Sequence, residues 1–432
     1  MLPLRNWQGA NRRQAPETKT MYVSGRLSQY LLFLAALMGV AGLLAARFLV
    51  ALAPVVGALA ALANPALRHD WRNYFRNGAA MRAAALVVFL LLTGFYTSEW
   101  AVWRHELFRS LTWLGVPLAF AVAVPLAGGQ RRAVGSFFVL GTAAVGLATL
   151  GQYLRNPATA NAAIAIGQNM PAVTGLFHVS FGVILASAFF WGLLLRGHPL
   201  ARPWLRGALL GAAVVAVLVL HVLAYRTGLL VLYAGLLAYV LRLLLRRRLA
   251  LALALLAALA LAPWVAYHTL RAVRERVNAS VWDVQQYQQG HDINTYSLAR
   301  RLAALESAGN LVGQHWLLGV GPADTHAALM QQYQWKDFGL LPQNRIDVHN
   351  QYLEALLGGG VVGLALWLAV LCWPLTQAWA RRDGYVWTFI VTQATVMLTA
   401  DVLSLQIGLN MFVFGYGLLV VAGERRAATM SG

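Results

Sequence analysis

Apolar runs of about 20 residues recur along this 432-residue chain, and they restrict its fold more than any other feature. A run of that length is what an α-helix needs to cross the hydrocarbon core of a bilayer. We count twelve of them, at approximately 27–45, 48–64, 82–98, 111–128, 133–153, 176–195, 206–225, 227–245, 249–268, 350–373, 385–403 and 405–422. Strand-like alternation of polar and apolar residues is absent, which argues against an outer-membrane barrel. The pattern predicts an all-α integral membrane protein with about twelve transmembrane helices.

Composition supports this class, because 59% of the residues are hydrophobic and only 11% are charged. Soluble domains carry roughly 25% charged residues. A net charge of +19 would suggest nucleic acid in a soluble protein. Here the arginines fall between apolar runs, as in cytoplasmic loops of membrane proteins. We therefore expect contact with membrane lipids and no nucleic acid. The single cysteine, Cys372, excludes an intrachain disulfide and a cysteine-based metal site.

Positive charge also predicts the orientation of the chain. A basic segment precedes the first apolar run and contains Arg5, Arg12, Arg13, Lys19 and Arg26. Most lysines and arginines lie on the cytoplasmic side if both termini are cytoplasmic. The chain then divides into three parts. Residues 1–269 form a nine-span region, 270–348 form a large outer loop with short helices, and 349–432 form a three-span region.

A histidine stands where this long polar interval meets an apolar run. His349 begins the sequence His349-Asn350-Gln351-Tyr352-Leu353, and the run 350–373 follows. An imidazole titrates near neutral pH and is suited to general acid–base catalysis. The positive end of a helix dipole favours its neutral form, which is the form that a base requires. The alternative is an interfacial histidine with a structural role only.

The positive-inside rule does not explain the arginines that lie on the predicted outer side. Arg226 lies between two apolar runs with almost no loop, so it either snorkels to the interface or contacts an anion. Ser297 is predicted to cap a helix that carries Arg300 and Arg301. Neighbouring residues point about 100° apart on a helix, so one of these two arginines faces any given site.

Two groups of glycines flank this region. Gly319 and Gly321 lie in a turn whose backbone N–H groups can approach an anion. Gly358, Gly359, Gly360 and Gly363 lie early in the apolar run 350–373, where they allow close helix packing or leave room for a lipid tail.

Several kinds of chemistry lack a sequence signature. The chain has no His-Glu-x-x-His, Walker, Gly-x-Ser-x-Gly or Cys-x-x-Cys arrangement. No Asp-x-Asp or Glu-x-Asp pair occurs on the outer side. We therefore expect neither a metal ion nor an organic cofactor.

Taken together, these motifs resemble those of the bacterial O-antigen ligase family, within the superfamily of O-antigen ligases and polymerases. The layout is similar too, with twelve spans and a large periplasmic loop between the ninth and tenth. The local matches are Tyr225-Arg226-Thr227-Gly228, Ser297-x-x-x-Arg301-Leu302, Leu318-Gly319-Val320-Gly321, and His349-Asn350-x-Tyr352-Leu353-x-x-Leu356 with Gly360 and Gly363-Leu364. Two positions depart from the family pattern: Gly358 stands where an acidic residue is common, and Tyr225 where serine is common.

The resemblance implies a membrane glycosyltransferase-like fold in the bacterial inner membrane, with its active site facing the periplasm. It implies an O-antigen ligase of lipopolysaccharide biosynthesis. The donor would be O-antigen polysaccharide on undecaprenyl pyrophosphate, and the acceptor a sugar hydroxyl of the lipid A–core oligosaccharide. The family is held to be independent of metal ions.

Physical chemistry assigns roles within that reaction. A sugar hydroxyl is a poor nucleophile, and His349 is the candidate base. Arg226 and Arg301 are the candidates to stabilise the pyrophosphate leaving group, with Arg300 as a further contact. Substrate contacts are also expected from Asn350, Tyr352, Gly319 and Gly321. Glu354 is expected to face away from His349 on a helical period. A base and a leaving group on opposite faces of the sugar predict inversion at the anomeric carbon.

Three other functions remain open at this stage. An O-antigen polymerase would use the same residues with another acceptor. A protein O-oligosaccharyltransferase of the superfamily usually has a longer chain after its last span. A small-anion transporter would place ionisable groups near the membrane midplane, often in related halves of the chain.

Overall fold

The computed structural model of the protein describes residues 25–165 and 170–431. These residues form α-helices, a few short 3-10 or π turns and no β-strand, which confirms the all-α class. In chain order the α-helices are α1 (Arg26–Leu44), α2 (Arg47–Leu62), α3 (Leu67–Arg76), α4 (Gly78–Thr93), α5 (Trp100–Ser110), α6 (Thr112–Val122), α7 (Gly128–Arg155), α8 (Pro157–Ala165), α9 (His178–Arg196), α10 (Pro203–Val222), α11 (Arg226–Leu245), α12 (Leu249–Thr269), α13 (Arg271–Gln288), α14 (Ser297–Gln314), α15 (Thr325–Trp335), α16 (Gln351–Cys372), α17 (Ala378–Arg382), α18 (Gly384–Val396), α19 (Gln406–Gly415) and α20 (Ala422–Ser431).

Within the described residues, eight helices are long and apolar enough to cross a membrane. They are Arg26–Leu44, Gly128–Arg155, His178–Arg196, Pro203–Val222, Arg226–Leu245, Leu249–Thr269, Gln351–Thr376 and Gln406–Met430. The bent pair α3 and α4, which meet at 73°, makes a ninth if it is counted as one span. The chain is therefore a multi-pass membrane protein.

The count of twelve spans stays a prediction. Each predicted interval contains a helix, but α2, α4, α6 and α18 have only 16, 16, 11 and 13 residues. Helix α6 follows α5 after the single residue Leu111, so the helical path here is longer than α6 alone. Helix α18 ends at Val396, and the predicted interval 385–403 therefore overran a turn that contains Asp401.

Helix α9 lies at the centre of the bundle, where Phe181, Ile184 and Leu185 are fully buried. Its first turns cross those of α11 closely. A Cβ atom added to Gly228 would lie 2.7 Å from the Cα of Gly182, so the two backbones touch through small residues. This crossing holds the beginnings of α9 and α11 side by side, and Arg226 is the first residue of α11.

The polar interval after α12 is largely helical. Helices α13, α14 and α15 cover most of it, and α14 and α15 pack around a small core of their own. That core includes Ala299, Ala303, Ala304, Leu329 and Tyr333, and it extends to Leu357 on α16. The interval is thus a folded unit resting on the beginning of α16.

Arginines predicted to be cytoplasmic meet at the opposite end of the bundle from this unit. The guanidinium of Arg82 lies over the Trp373 ring at the end of α16. Arg242 donates to the Arg381 carbonyl, and Arg425 to that of Ala123. Of the predicted N-terminal charges, Arg5, Arg12, Arg13 and Lys19 lie outside the described residues.

The orientation can be tested with two single-cysteine variants in a Cys372→Ala background. We expect a cysteine at Gln288 to react with an impermeant maleimide in intact spheroplasts, and one at Ser431 to react only after lysis. This expectation follows from the positive-inside rule, which predicts that the arginine-rich end is cytoplasmic. Labelling of the Ser431 site alone in intact cells would reverse the topology.

Candidate active site

The imidazole of His349 is paired with a carboxylate from a distant part of the sequence. Its Nδ1 lies 3.1 Å from Oδ1 of Asp401, and both side chains are partly exposed. Because a carboxylate accepts the Nδ1 proton, the neutral ring presents Nε2 as a proton acceptor. Asp401 also stabilises the positive charge that forms when Nε2 takes up a proton. This geometry suits a general base.

The residues after His349 fix the beginning of α16. The Asn350 side chain accepts hydrogen bonds from the backbone N–H groups of Tyr352 and Leu353, both at 3.0 Å. This is a helix N-cap. The Tyr352 hydroxyl donates to the Ala394 carbonyl at 2.8 Å. Asn350 and Tyr352 were predicted as substrate contacts. In the structure, the Asn350 side-chain oxygen and the Tyr352 hydroxyl instead hold the segment after His349 in place.

Arg226 and Arg301 come together near this pair. Arg226 donates from Nη1 to the Ser280 hydroxyl on α13 at 2.9 Å. Arg301 donates from Nη1 to the Thr399 carbonyl at 3.2 Å, two residues before Asp401. Burial and then the Arg226 charge lower the pKa of Arg301, and the Asp401 charge opposes them. The two guanidinium groups and the carboxylate therefore lie within electrostatic reach of one another.

A third arginine belongs to this group and was not anticipated. Arg276 on α13 is only 2% exposed. Burial and the neighbouring Arg226 lower its pKa to about 10, while Asp283 acts in the opposite direction. His178, the first residue of α9, lies within electrostatic reach of Arg226, Arg276 and Arg301. Positive charge concentrated in this way favours a multiply charged anion such as a pyrophosphate.

Arg300 points elsewhere. Its Nη1 lies 3.4 Å from Oδ1 of Asn344, in the loop before α16. The predicted cap at Ser297 is wrong, because α14 begins at that residue and no side chain of the preceding residue caps it. Instead, the Asp283 carboxylate on α13 accepts the Leu298 N–H at 2.8 Å. This bond fixes the orientation of α14, which carries Arg301.

The structure gives Gly319 and Gly321 a use different from anion binding. Both have positive φ, 70° and 105°, and the Gly321 N–H donates to the Gly358 carbonyl at 3.0 Å. The Gly319 N–H donates to the His315 carbonyl at 2.9 Å. A Cβ on Gly319 would lie 2.5 Å from the Leu357 oxygen. These glycines therefore let the loop pack against α16, and their N–H groups are occupied.

A cavity of about 410 Å³ is lined in part by Asp401. Its polar part also includes Glu354, Asp347, His326, Glu106 and Arg109. Its apolar part is lined by Phe89, Trp113, Trp367 and Leu409, and by Gly358, Gly359 and Gly363. Such a lining suits an amphipathic molecule, with a polar head near Asp401 and an apolar tail below.

The expectation that Glu354 faces away from His349 stays a prediction. Glu354 lies close enough to Asp401 to interact with it electrostatically. Residues 345–350 are not helical, and the helix begins only at Gln351. The helical period therefore does not relate positions 349 and 354, and the argument built on it fails.

Residues suited to a metal ion are not grouped at this site. In residues 25–165 and 170–431, no three His, Cys, Asp or Glu side chains are arranged to hold one. In the sequence, Asp401 stands near the end of the predicted span 385–403, and no local motif connects it with His349. Arg276 was recognisable from the helical spacing of the buried residues Ala272, Arg276, Asp283 and Gln286.

Comparison with known families adds one match. Residues 211–368 match the family model described as O-antigen ligase. This segment covers less than half of the chain, and through it the chain is similar to the O-antigen ligase family. The segment contains Arg226, Arg276, Arg301 and His349, whereas Asp401 lies beyond it. No curated protein matches the chain.

Similarity to the O-antigen ligase family indicates the general class of activity. The family lies within the O-antigen ligase and polymerase superfamily of glycosyltransferase-like membrane proteins. The match therefore supports a general transferase activity for this chain. The family also implies, in general terms, lipid-linked glycans and lipid A–core as substrates.

Proposed function

We propose that this protein is an O-antigen ligase of the inner membrane. It transfers O-antigen polysaccharide from undecaprenyl pyrophosphate to a sugar hydroxyl of lipid A–core on the periplasmic side. The observation that carries the proposal is that Asp401, the partner of His349, connects two environments. Asp401 interacts electrostatically with Arg301 of the arginine group (Arg226, Arg276 and Arg301), and it also lines the amphipathic cavity.

The arginine side suits the donor. Arg226 and Arg301 bind the pyrophosphate, and Arg276 adds positive charge behind them. The leaving group gains negative charge as the glycosidic bond breaks, and preorganised guanidinium groups stabilise that charge. Three clustered arginines repel one another when the site is empty, so binding of an anion relieves the repulsion.

The cavity side suits the acceptor. The acceptor sugar lies in the polar part of the cavity, near Asp401. His349 takes the proton of the attacking hydroxyl at Nε2, and the new bond forms at the anomeric carbon as the bond to pyrophosphate breaks. Attack from the side opposite the leaving group inverts the anomeric configuration.

Reconstitution tests this assignment. The purified protein is placed in liposomes with an undecaprenyl-pyrophosphate glycan and lipid A–core, and the products are resolved by electrophoresis and mass spectrometry. We expect the glycan to appear on lipid A–core with inverted linkage by NMR. Longer glycans that remain on the polyprenyl carrier would instead indicate a polymerase. Absence of both products would refute the proposed reaction.

Transfer is also expected to continue in excess EDTA. The arginine group supplies the positive charge that a divalent cation provides in many pyrophosphate reactions. The measurement is the initial rate with and without chelator, in protein passed over a chelating resin. A rate that falls in EDTA and returns with Mg²⁺ or Mn²⁺ contradicts the prediction.

Ionisable groups that converge where helices begin also favour an enzyme over a small-anion transporter. His349 and Asn350 directly precede α16, and Arg226 is the first residue of α11. A transporter is expected to place such groups midway along broken helices.

A further inference from the structure

The Asp401 segment is held by a side chain from a remote helix. Arg109 on α5 donates from Nη2 to the Leu403 carbonyl at 2.5 Å. From Nη1 it donates to Oε1 of Glu106 at 2.7 Å. The Arg109 side chain is 14% exposed, so this bond to the turn is largely shielded from water. Charge-assisted hydrogen bonds of this kind are shorter and stronger than neutral ones.

The same turn is held from the opposite direction by α16. The Leu403 N–H donates to Oε1 of Gln351 at 2.9 Å. The Gln351 N–H in turn donates to the Met397 carbonyl at 2.9 Å. Both backbone groups of Leu403 are thus bound by side chains, one from each helix. Leu403 lies two residues after Asp401, and Gln351 lies two residues after His349.

From this arrangement we propose that Arg109, itself held by Glu106, is a positioning residue for transfer. It fixes the 3-10 turn Val402–Ser404, and through the turn it fixes the carboxylate of Asp401 against His349. The inference rests on the proposed ligase function. It extends the catalytic machinery to α5, about 240 residues before His349 and outside the segment 211–368 that matches the family.

The physical reason is the precision that a general base requires. A misplacement of about 1 Å in a catalytic group costs on the order of 10²-fold in rate. Without Arg109, Leu403 keeps its bond to Gln351, but its carbonyl loses its side-chain donor, and Asp401 is held less firmly relative to the imidazole. The substrate-facing surface of the arginine group is unchanged, so donor recognition persists.

The test compares Arg109→Ala, Arg109→Lys and Asp401→Asn in the reconstituted reaction. We expect Arg109→Ala to lower kcat by about 10- to 100-fold, with the KM values for donor and acceptor within about twofold of wild type. Lysine retains the charge and one hydrogen bond, so Arg109→Lys recovers part of the rate. Arg104→Ala on the same helix is the matched control, because Arg104 is exposed and its bond is to its own helix.

A double variant separates positioning from other roles. If Arg109 acts through Asp401, Arg109→Ala adds little to the loss caused by Asp401→Asn. If the fold-loss in kcat of the double variant equals the product of the two single losses, the inference is overturned. A selective rise in the acceptor KM would also overturn it, because that result marks Arg109 as a substrate contact. Wild-type kcat in Arg109→Ala would also overturn it. Absence of transfer by the wild-type protein instead refutes the ligase function itself.

Discussion

His349→Ala is expected to abolish measurable transfer while the protein still folds and binds its donor. Removal of a general base costs on the order of 10²- to 10⁴-fold in rate. Asn350 cannot accept a proton at neutral pH, and its oxygen already caps α16. His349 is partly exposed and lies before a helix, so its loss leaves the bundle core intact. Single-turnover rates and equilibrium binding of the polyprenyl-pyrophosphate donor provide the measurement.

The pH dependence of the same reaction identifies the role of the imidazole. Only the neutral ring accepts a proton, so the wild-type single-turnover rate falls as acidification protonates it. His349→Gln keeps a polar side chain of similar size and serves as the matched variant. If His349→Gln transfers glycan at close to the wild-type rate at pH 7, His349 is only an orienting residue. Glu354, the nearby carboxylate in the cavity, then becomes the next candidate base.

The general architecture was predictable because it depends on local properties of the chain. Apolar runs of helical length located a helix in every predicted interval. The ends of helices depend on tertiary contacts, so their predicted positions were less accurate. The run 385–403 is apolar throughout most of its length, yet α18 stops at Val396. The Met397 carbonyl, just beyond that end, accepts the Gln351 N–H from another helix.

The site was predictable only in part for the same reason. Arg226, Arg301 and His349 were selected from local motifs that resemble a known family. Asp401 lies 52 residues from His349, and no local pattern connects the two. Arg109 is farther away still. Pairings of this kind arise from the packing of helices, and one sequence alone does not reveal them.

Arg226 and Arg301 are expected to be as important for transfer as His349, but they act on the pyrophosphate donor rather than on the acceptor hydroxyl. Arg226→Ala and Arg301→Ala should each lower transfer by about 10²- to 10³-fold, as the loss of one preorganised donor to a developing anion does. Unlike His349→Ala, both should also weaken donor binding. Lysine should restore activity only in part, because an ammonium lacks the planar two-pronged contact with phosphate oxygens. Transfer rates and donor binding, measured at one salt concentration, test this difference.

Arg300→Ala is the matched control, since Arg300 adjoins Arg301 but its guanidinium faces Asn344. We expect a smaller effect from it than from Arg301→Ala. If Arg300→Ala proves the sensitive variant and Arg301→Ala is silent, the other face of α14 binds the donor.

Stability provides an independent check on the arginine role. Burial and the charge of Arg226 lower the pKa of Arg276 and of Arg301. The positive charges of the three arginines therefore repel one another when no donor is bound. Removing Arg226 eliminates part of that repulsion together with its bond to Ser280. We therefore expect the donor-free Arg226→Ala protein to have a Tm no lower than wild type, while the Tm increase on donor addition becomes smaller. A marked fall in the donor-free Tm would mean that Arg226 mainly supports the fold, and the loss of transfer would then say nothing about pyrophosphate.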